Sequence, residues 1–297
     1  MIPLEKCREN IIYMKRIDLH LLPNLSGSIS KVFCSVVIVN LFSFCTAATL
    51  DTIQVFSPSM EKSIPALIVL PDLYPKTESS YNAVFLLHGY GGDYLNWSTH
   101  ANLEESADKS SMILICPDGS PNSWYMDSPI ESSSQYETFI IQTLIPWFQE
   151  TYRINKIGIT GLSMGGHGSL YLAIRNSNVF HAVSSMSGGV DLTYSTVKWE
   201  IASKIGSYEL YPERWRNHSI INMLDQIENG FMPVLLDCGY EDIFIEINRT
   251  LHSRLIEKNI SHTYIEKSGG HSWNYWVNAL DEHLTFFDNA FKGSKKN

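Results

Sequence analysis

A serine between glycines, in the run Gly161-Leu162-Ser163-Met164-Gly165, is the first candidate for chemistry in this sequence. Residues 157–160 before it read as a short strand, and the glycine-rich residues after it begin a helical pattern. A sharp turn from strand to helix lifts a serine hydroxyl above a sheet, and small residues on either side prevent clashes at that turn. The motif alone is weak, and a glycine-rich turn without chemistry is the alternative. In this context it predicts Ser163 as the nucleophile of an acyl transfer.

A serine hydroxyl becomes a good nucleophile only when a base accepts its proton, and histidine is the usual base. Seven histidines follow Ser163 in the sequence: His167, His181, His218, His252, His262, His271 and His283. Only His271 both follows a predicted strand and lies in a loop that begins with glycines. His252 and His283 fall in predicted helices, and His262 lies in or before a strand. We therefore predict His271 as the general base.

An acidic residue must orient that histidine, and in the expected chain order it lies between the serine and the histidine. Asp237, Glu241 and Asp242 are the candidates, since all three lie at or just after an apolar strand. Asp237 lies inside the apolar run, so we interpret it as buried and structural. Asp242 lies beyond Gly239, where a loop can carry it towards His271. The sequence thus favours Asp242 as the residue that holds the imidazole tautomer and stabilises the imidazolium.

Acyl transfer also requires hydrogen-bond donors for the negative oxygen that develops in the transition state. One expected donor is the backbone N–H of Met164, directly after the nucleophile. The other should come from the loop His88-Gly89-Tyr90-Gly91-Gly92, which follows an apolar strand and whose glycines permit close approach to a substrate. We predict the N–H of Tyr90 for this role and a structural role for His88.

The rest of the sequence alternates short apolar strands with helical segments. The predicted strands cover residues 52–56, 64–70, 83–87, 112–116, 156–160, 181–185, 232–236 and 262–265. The predicted helices cover residues 135–152, 165–175, 243–258 and 273–291. This alternation predicts an α/β fold, a mostly parallel central sheet with helices on both faces and a site at the carboxyl ends of the strands. The segment Thr193–Asn229 interrupts the alternation, and we interpret it as an insertion that caps the site.

Composition limits the classes of partner. The 297 residues carry a net charge of −9 without long basic runs, which argues against nucleic acid. No His and Cys spacing typical of a zinc site appears, and the predicted chemistry implies neither a metal nor a cofactor. Cys116 and Cys238 each end a predicted strand, and because the fold should separate those strands we expect no disulfide between them.

Residues 1–48 have the order of an export signal. Basic residues come first, the apolar stretch Val32–Phe44 follows, and Thr46, Ala47 and Ala48 are small. The apolar stretch is interrupted by Asn40 and is too short to span a bilayer comfortably. We therefore expect an export leader over residues 1–48, a catalytic domain over residues 49–297, and a periplasmic or secreted protein. A poorly ordered tail or a buried strand is the alternative.

Taken together, these motifs resemble the esterase D and antigen 85-related "putative esterase" family of α/β-hydrolases. The similar segments occur in the family's order from about Thr52 to Phe291, and they are His88–Gly92 with Trp97, Pro117–Gly119, Tyr136–Phe139, Gly161–Gly166, Cys238–Asp242 and Gly270–Trp273. The resemblance implies an esterase with a triad of Ser163, Asp242 and His271 and an oxyanion hole at Tyr90 and Met164. The chain departs from the S-formylglutathione hydrolase branch, because no cysteine occurs between Cys45 and Cys116, where that branch usually carries one.

These expectations combine into an exported serine carboxylesterase for short acyl esters, with acetyl or feruloyl esters of carbohydrates as candidate substrates. An acyltransferase with the same triad and an S-formylglutathione hydrolase-like thioesterase are the alternatives. A non-catalytic binding protein would usually lack a triad member, and none is missing. Trp124, Tyr125 and Trp273 are candidates to line the mouth of the site, with packing in the core as the other interpretation. The sequence does not indicate an oligomeric state.

Overall fold

Eight strands form one sheet in the computed structural model, which describes residues 48–228 and 230–293. The strands are β1 (Thr49–Ser57), β2 (Lys62–Leu70), β3 (Tyr81–Leu87), β4 (Met112–Pro117), β5 (Ile154–Gly161), β6 (Ala182–Met186), β7 (Val234–Gly239) and β8 (Thr263–Lys267). They lie in the order β1-β2-β4-β3-β5-β6-β7-β8, and only the β1–β2 and β2–β4 pairs are antiparallel. The sheet confirms the predicted α/β architecture, and each predicted strand is present with its bounds moved by a few residues.

Helices cover both faces of this sheet. They are α1 (Asn96–His100), α2 (Leu103–Ser110), α3 (Tyr136–Thr138), α4 (Ile145–Thr151), α5 (Met164–Arg175), α6 (Ile201–Ile205), α7 (Pro212–His218), α8 (Ile245–Glu257) and α9 (Trp273–Lys292). Short 3₁₀ turns cover Tyr74–Lys76, Leu192–Tyr194, Ile220–Asn222 and Leu224–Gln226.

The central strand β3 shows why its sequence is apolar without interruption. Ala83, Phe85 and Leu87 face one hydrophobic core, which includes residues of α4, α5 and α8, while Val84 and Leu86 face a second core with α2 and α9. All five side chains are fully buried. A strand covered by helices on both faces must be apolar at every position, because no side of it meets water.

The helix predicted over residues 135–152 is divided. Between α3 and α4 the residues Phe139–Leu144 form a wider π-helical turn. Pro146 lies in the first turn of α4 and cannot donate a backbone hydrogen bond to the preceding turn, so the regular α-helical ladder is interrupted at this point.

The structure describes most of the predicted insertion but almost none of the predicted leader. Within the insertion, helices α6 and α7 and three of the 3₁₀ turns are described, and Asn229 is not. The predicted leader over residues 1–48 lies outside the described residues, except for Ala48. Within residues 48–228 and 230–293, no helix is long and apolar enough to cross a membrane.

A buried ionic network ties the last strands to α9. Asp237 on β7 is fully buried and accepts hydrogen bonds from Tyr275 of α9 and, at 3.1 Å, from the Lys267 ammonium of β8. Nε2 of His283 lies 3.4 Å from Oδ2 of Asp237, the oxygen that Lys267 also contacts, and Nδ1 lies 2.8 Å from Ser184 Oγ, which in turn donates to Thr160 of β5. These contacts confirm the prediction that Asp237 is buried and structural.

The same contacts decide the charge of Asp237. Burial by itself would raise the pKa of the Asp237 carboxyl, but the hydrogen bond and charge of His283, the Tyr275 hydroxyl and Lys267 outweigh it and hold the pKa below its ordinary value. The carboxylate therefore contributes stability above the pKa of an unfolded aspartate. That stability is lost as the pH falls through the lower folded pKa.

We expect Asp237→Asn to lower the free energy of unfolding by about 3 kcal/mol at pH 7, because it leaves buried partners without their counter-charge. The difference from the wild type should shrink below about pH 4, because there the aspartate of the unfolded wild-type chain takes up a proton that the folded carboxylate does not yet bind. Urea unfolding at both pH values measures it. Asp288→Asn is the matched control, since Asp288 is a partly exposed residue of α9 paired with the exposed Lys292, and the stability of this variant should be nearly unchanged. An Asp237→Asn variant as stable as the wild type at pH 7 would contradict the assignment.

Candidate active site

Ser163 lies in the turn between β5 and α5, as the sequence predicts. Its backbone has φ 55° and ψ −114°, a strained conformation for a residue with a side chain. The turn is so tight that a Cβ on Gly165 would lie 2.4 Å from the Leu87 carbonyl oxygen, and a Cβ on Gly161 would lie 2.5 Å from the backbone of Gly165. Both glycines are therefore required by close packing.

Three predicted residues come together at the carboxyl ends of β5, β7 and β8. Nε2 of His271 lies 2.9 Å from Oγ of Ser163. Nδ1 of the same ring lies 2.9 and 3.0 Å from the two carboxylate oxygens of Asp242. The Asp242 side chain is fully buried, whereas that of His271 keeps 20% of its surface exposed. A serine, an imidazole and a buried carboxylate in this order can activate the hydroxyl as a nucleophile.

Two loops hold Asp242 and His271 in register. The Glu241 N–H donates to the Gly269 carbonyl at 3.0 Å, and the Gly269 N–H donates to the Glu241 carboxylate at 2.5 Å. Asp242 accepts a further hydrogen bond from the N–H of Phe244 at 2.8 Å. Two hydrogen bonds thus join the loop after β7 to the loop after β8. They lie at Glu241, the residue before Asp242, and at Gly269, two residues before His271.

Aromatic rings fix the plane of the His271 imidazole. Phe244 packs edge to face at 5.0 Å between ring centroids, and Trp276 of α9 packs perpendicular to the imidazole at 4.9 Å. The Trp276 indole N–H donates to Ser187 at 3.1 Å, which sets the orientation of that ring. Because two neighbours hold the imidazole, its rotation away from Ser163 is restricted.

The predicted oxyanion donors lie next to the nucleophile. A Cβ on Gly89 would lie 3.5 Å from Cβ of Ser163, so the loop after β3 reaches the serine directly. Within the described residues, no protein acceptor takes the backbone N–H of Tyr90 or of Met164. Met164 is also the first residue of α5, where the helix dipole favours negative charge. Both N–H groups are free to bind a developing oxyanion.

His88 does not contact the triad. Its Nε2 accepts a hydrogen bond from the N–H of Gly119 at 2.8 Å, so its Nδ1 carries the proton and donates to the Gly89 carbonyl at 2.8 Å. Burial lowers the pKa of His88 and keeps it neutral. The ring joins the loops after β3 and β4, which confirms the structural role predicted for it.

The three candidate mouth aromatics have different environments. Tyr125 is fully buried and its hydroxyl donates to the His88 carbonyl, so of the two interpretations it is the one of packing in the core that applies to it. Trp124 is also buried, and a Cβ on Gly189 would lie 2.9 Å from its ring. Trp273 remains partly exposed and stacks on His100 at 4.0 Å. The sequence around these three aromatic residues does not indicate which of them are buried.

Sequence reasoning missed Phe244, Trp199 and Glu200, which also contribute to the site. The Trp199 ring packs on Phe244 at 5.2 Å, and the Glu200 carboxylate accepts a hydrogen bond from the Tyr90 hydroxyl at 3.1 Å. Trp199 and Glu200 belong to the insertion, whose sequence contains no motif from which its structure could be predicted. Among the described residues, no three His, Cys, Asp or Glu side chains lie close enough together to bind a metal ion.

Comparisons with known proteins agree with this geometry. An acetyl esterase of Caldicellulosiruptor saccharolyticus is 25% identical over 247 residues, which cover 75% of this chain and 92% of that protein. The diacylglycerol acyltransferase/mycolyltransferase Ag85A of Mycobacterium leprae is 25% identical over 272 residues, covering 78% and 80% of the two chains. A ferulic acid esterase structure superposes with a TM-score of 0.72 at 22% identity, over 82% of this chain and 99% of that one, and shows the shared α/β-hydrolase fold.

The family model described as "Putative esterase" matches residues 57–287. This range includes every strand from β2 to β8 and the connected residues Ser163, Asp242 and His271. The chain therefore belongs to this family of carboxylic ester hydrolases with the α/β-hydrolase fold.

Proposed function

We propose that this protein hydrolyses short acyl esters, acetyl esters first, through an acyl-enzyme on Ser163. The contact chain from Asp242 through His271 to Ser163, with both links at 2.9 Å, is the observation that carries the proposal. The likeness to a protein named acetyl esterase, most of whose length the chain covers, supports the acyl group, and the shared fold with a ferulic acid esterase is compatible with feruloyl esters as a wider class.

The proposed reaction has two halves. Oγ of Ser163 attacks the ester carbonyl while its proton passes to Nε2 of His271, and Asp242 stabilises the imidazolium. The N–H groups of Tyr90 and Met164 bind the oxyanion, the C–O bond to the alcohol breaks, and the alcohol leaves with the proton from His271. Water then attacks the acyl-enzyme with His271 again as the base, and the carboxylic acid leaves from Ser163.

Export forms part of the same proposal. The basic, apolar and small-residue order of residues 1–48 supports a leader that is removed from the mature protein. N-terminal sequencing of protein recovered from its natural cells should then begin near residue 49, and an intact Met1 would contradict export by this route.

We expect Ser163→Ala and His271→Ala to lower kcat for 4-nitrophenyl acetate by about 10³-fold or more, because each removes a member of one catalytic unit. Asp242→Asn should lower it by a similar order, since it disturbs the imidazole tautomer. His252→Ala is the matched control, as that ring lies on α8 against His262. Full activity in either Ser163→Ala or His271→Ala would contradict the assignment.

Titration of the acid released distinguishes hydrolysis from acyl transfer. Hydrolysis gives one acid per ester cleaved, in the presence or absence of a sugar acceptor. An acylated sugar that replaces the acid would instead support the acyltransferase alternative.

An aromatic wall beside the nucleophile supports a short acyl group. Gly189, whose N–H donates to the Ser163 carbonyl at 3.2 Å, lies against Trp124 and Phe244. Trp199 extends the same wall. Its ring centroid lies 5.2 Å from that of Phe244 and 6.5 Å from that of Trp124. Large fixed rings this close to the reacting serine leave little space for a long acyl chain.

We expect Trp199→Ala to raise the octanoate-to-acetate ratio of kcat/KM about tenfold, because the space vacated by the indole accepts additional methylenes. The ratio cancels any effect common to both substrates. Leu210→Ala, at a position 75% exposed in the same insertion, is the control and should leave the ratio unchanged. An unchanged ratio in Trp199→Ala would contradict the role of the wall in acyl length.

A further inference from the structure

One carboxylate oxygen joins three loops beside the site. Oε2 of Glu200 accepts a hydrogen bond from the Tyr90 hydroxyl at 3.1 Å and another from the Asn122 amide at 2.9 Å. Tyr90 lies in the loop after β3, Asn122 in the loop after β4, and Glu200 in the insertion between β6 and β7. We call this set of contacts the Glu200 joint.

The backbone that presents Glu200 is strained. Trp199 has φ 58° and Glu200 has φ 51°, so two successive residues with side chains are left-handed. Residues with side chains are strained in this conformation, which persists only where surrounding contacts fix it. The Trp199 carbonyl accepts a hydrogen bond from the Trp124 indole at 3.2 Å, which supplies one such contact.

A second attachment lies one turn further along the insertion. Lys204 is buried, and its ammonium donates to the Glu131 carboxylate at 2.6 Å. The Lys204 carbonyl accepts a hydrogen bond from Ser128 at 2.6 Å. Both partners lie in the segment after β4, so the insertion is fixed to that segment at the strained turn and again just after it. Glu200 is therefore presented by a rigid support.

Tyr90 is the residue that most needs such a support. It lies between Gly89 and Gly91, which have no side chains, and Gly91 has φ 76° with no atom within 4 Å of a would-be Cβ. The peptide that carries the Tyr90 N–H has a glycine on one side, Gly89, whose carbonyl accepts hydrogen bonds from Nδ1 of His88 at 2.8 Å and from the N–H of Gly92 at 3.1 Å. The phenol, although its residue is 40% exposed, adds a contact on the Tyr90 side of this peptide, where its hydroxyl donates to the Glu200 carboxylate.

We propose that Glu200 is a positioning residue, which through the Tyr90 hydroxyl holds the Tyr90 N–H in the direction of the oxyanion. This proposal rests on the proposed function, in which that N–H is an oxyanion donor. A hydrogen bond to an ionised carboxylate is stronger than a neutral one and limits the phenol to a narrow range of positions. Glu200 contacts neither the acyl group nor the triad in this role, so it acts on the transition state and not on substrate binding.

The test is a set of four variants assayed with 4-nitrophenyl acetate and with a trifluoromethyl ketone, which adds Ser163 Oγ to give a tetrahedral oxyanion. Glu200→Ala and Tyr90→Phe should each lower kcat about tenfold and raise the ketone inhibition constant by the same factor, with KM changed less than about twofold. The double variant should lose little more than either single variant, because both remove one interaction. Glu200→Gln keeps an acceptor oxygen without the charge and should recover most of the activity.

Glu213→Ala is the matched control, since Glu213 is an exposed glutamate of the same insertion paired with Arg216, and its kinetics should equal the wild type. Thermal unfolding of each variant separates misfolding from a kinetic effect, and Tyr90→Phe provides a test that leaves Glu200 in place. Wild-type kcat and ketone inhibition in both single variants, or a Glu200→Gln variant as poor as Glu200→Ala, would overturn the proposal. Ser163→Ala measured in parallel distinguishes the two proposals: if it is inactive while Glu200→Ala is normal, only the positioning role fails, and if it is active, the proposed function fails.

Discussion

The hydrogen bond between His271 Nε2 and Ser163 Oγ joins residues 108 positions apart, and most of the described structure is needed to form it. Parallel pairing of β5, β6, β7 and β8 brings the carboxyl ends of those strands to one edge of the sheet. At that edge a side chain from each loop can meet the others without any loop crossing the core. A shift in register of a single strand would move its loop by about one residue's rise, roughly 3.3 Å, which is enough to break a contact of this length.

The buried charge of Asp237 helps to fix the register between β7 and β8. It is five residues before Asp242 on the same chain, and its partners come from β8, which precedes the His271 loop, and from α9, which follows it. A buried carboxylate accepts few alternative arrangements, because any shift that removes a partner leaves charge without compensation. The two strands that lead to Asp242 and His271 are thus tied to one ion, in addition to their backbone ladder.

The parts of the site that sequence predicts are those determined by local chain geometry. Ser163 is recognised because a glycine two residues away on each side is required by a turn that packs against Leu87, and this requirement appears in the sequence itself. His271 and Asp242 are recognised because a residue that follows a buried strand must lie at the edge of the sheet. Trp199 and Glu200 are not recognised, since their place at the site depends on how an insertion without periodic pattern folds back over the loops. Phe244 is not recognised either, because it lies just before α8 and its contact with His271 depends on how the loop after β7 packs. The sequence also leaves open whether Tyr125 lines the site or packs in the core, because only tertiary packing decides which aromatic residues near a site are buried beneath it.

Backbone strain marks the site as clearly as the side chains do. Of the residues with side chains that have positive φ in the described ranges, seven lie in or near the loops around Ser163, namely Ser120, Trp124, Tyr125, Ser163, Ser187, Trp199 and Glu200. Strain of this kind persists where many contacts over-determine the backbone, and here those contacts are the Trp124 to Trp199 hydrogen bond, the buried Lys204 ion pair and the Glu200 joint. An insertion attached at this many points forms a fixed wall, and a lid that opens and closes would need to break all of them together. Selection among esters in this protein is therefore expected to follow from the shape of preformed loops, with the strain of the turns offset by the packing that holds them.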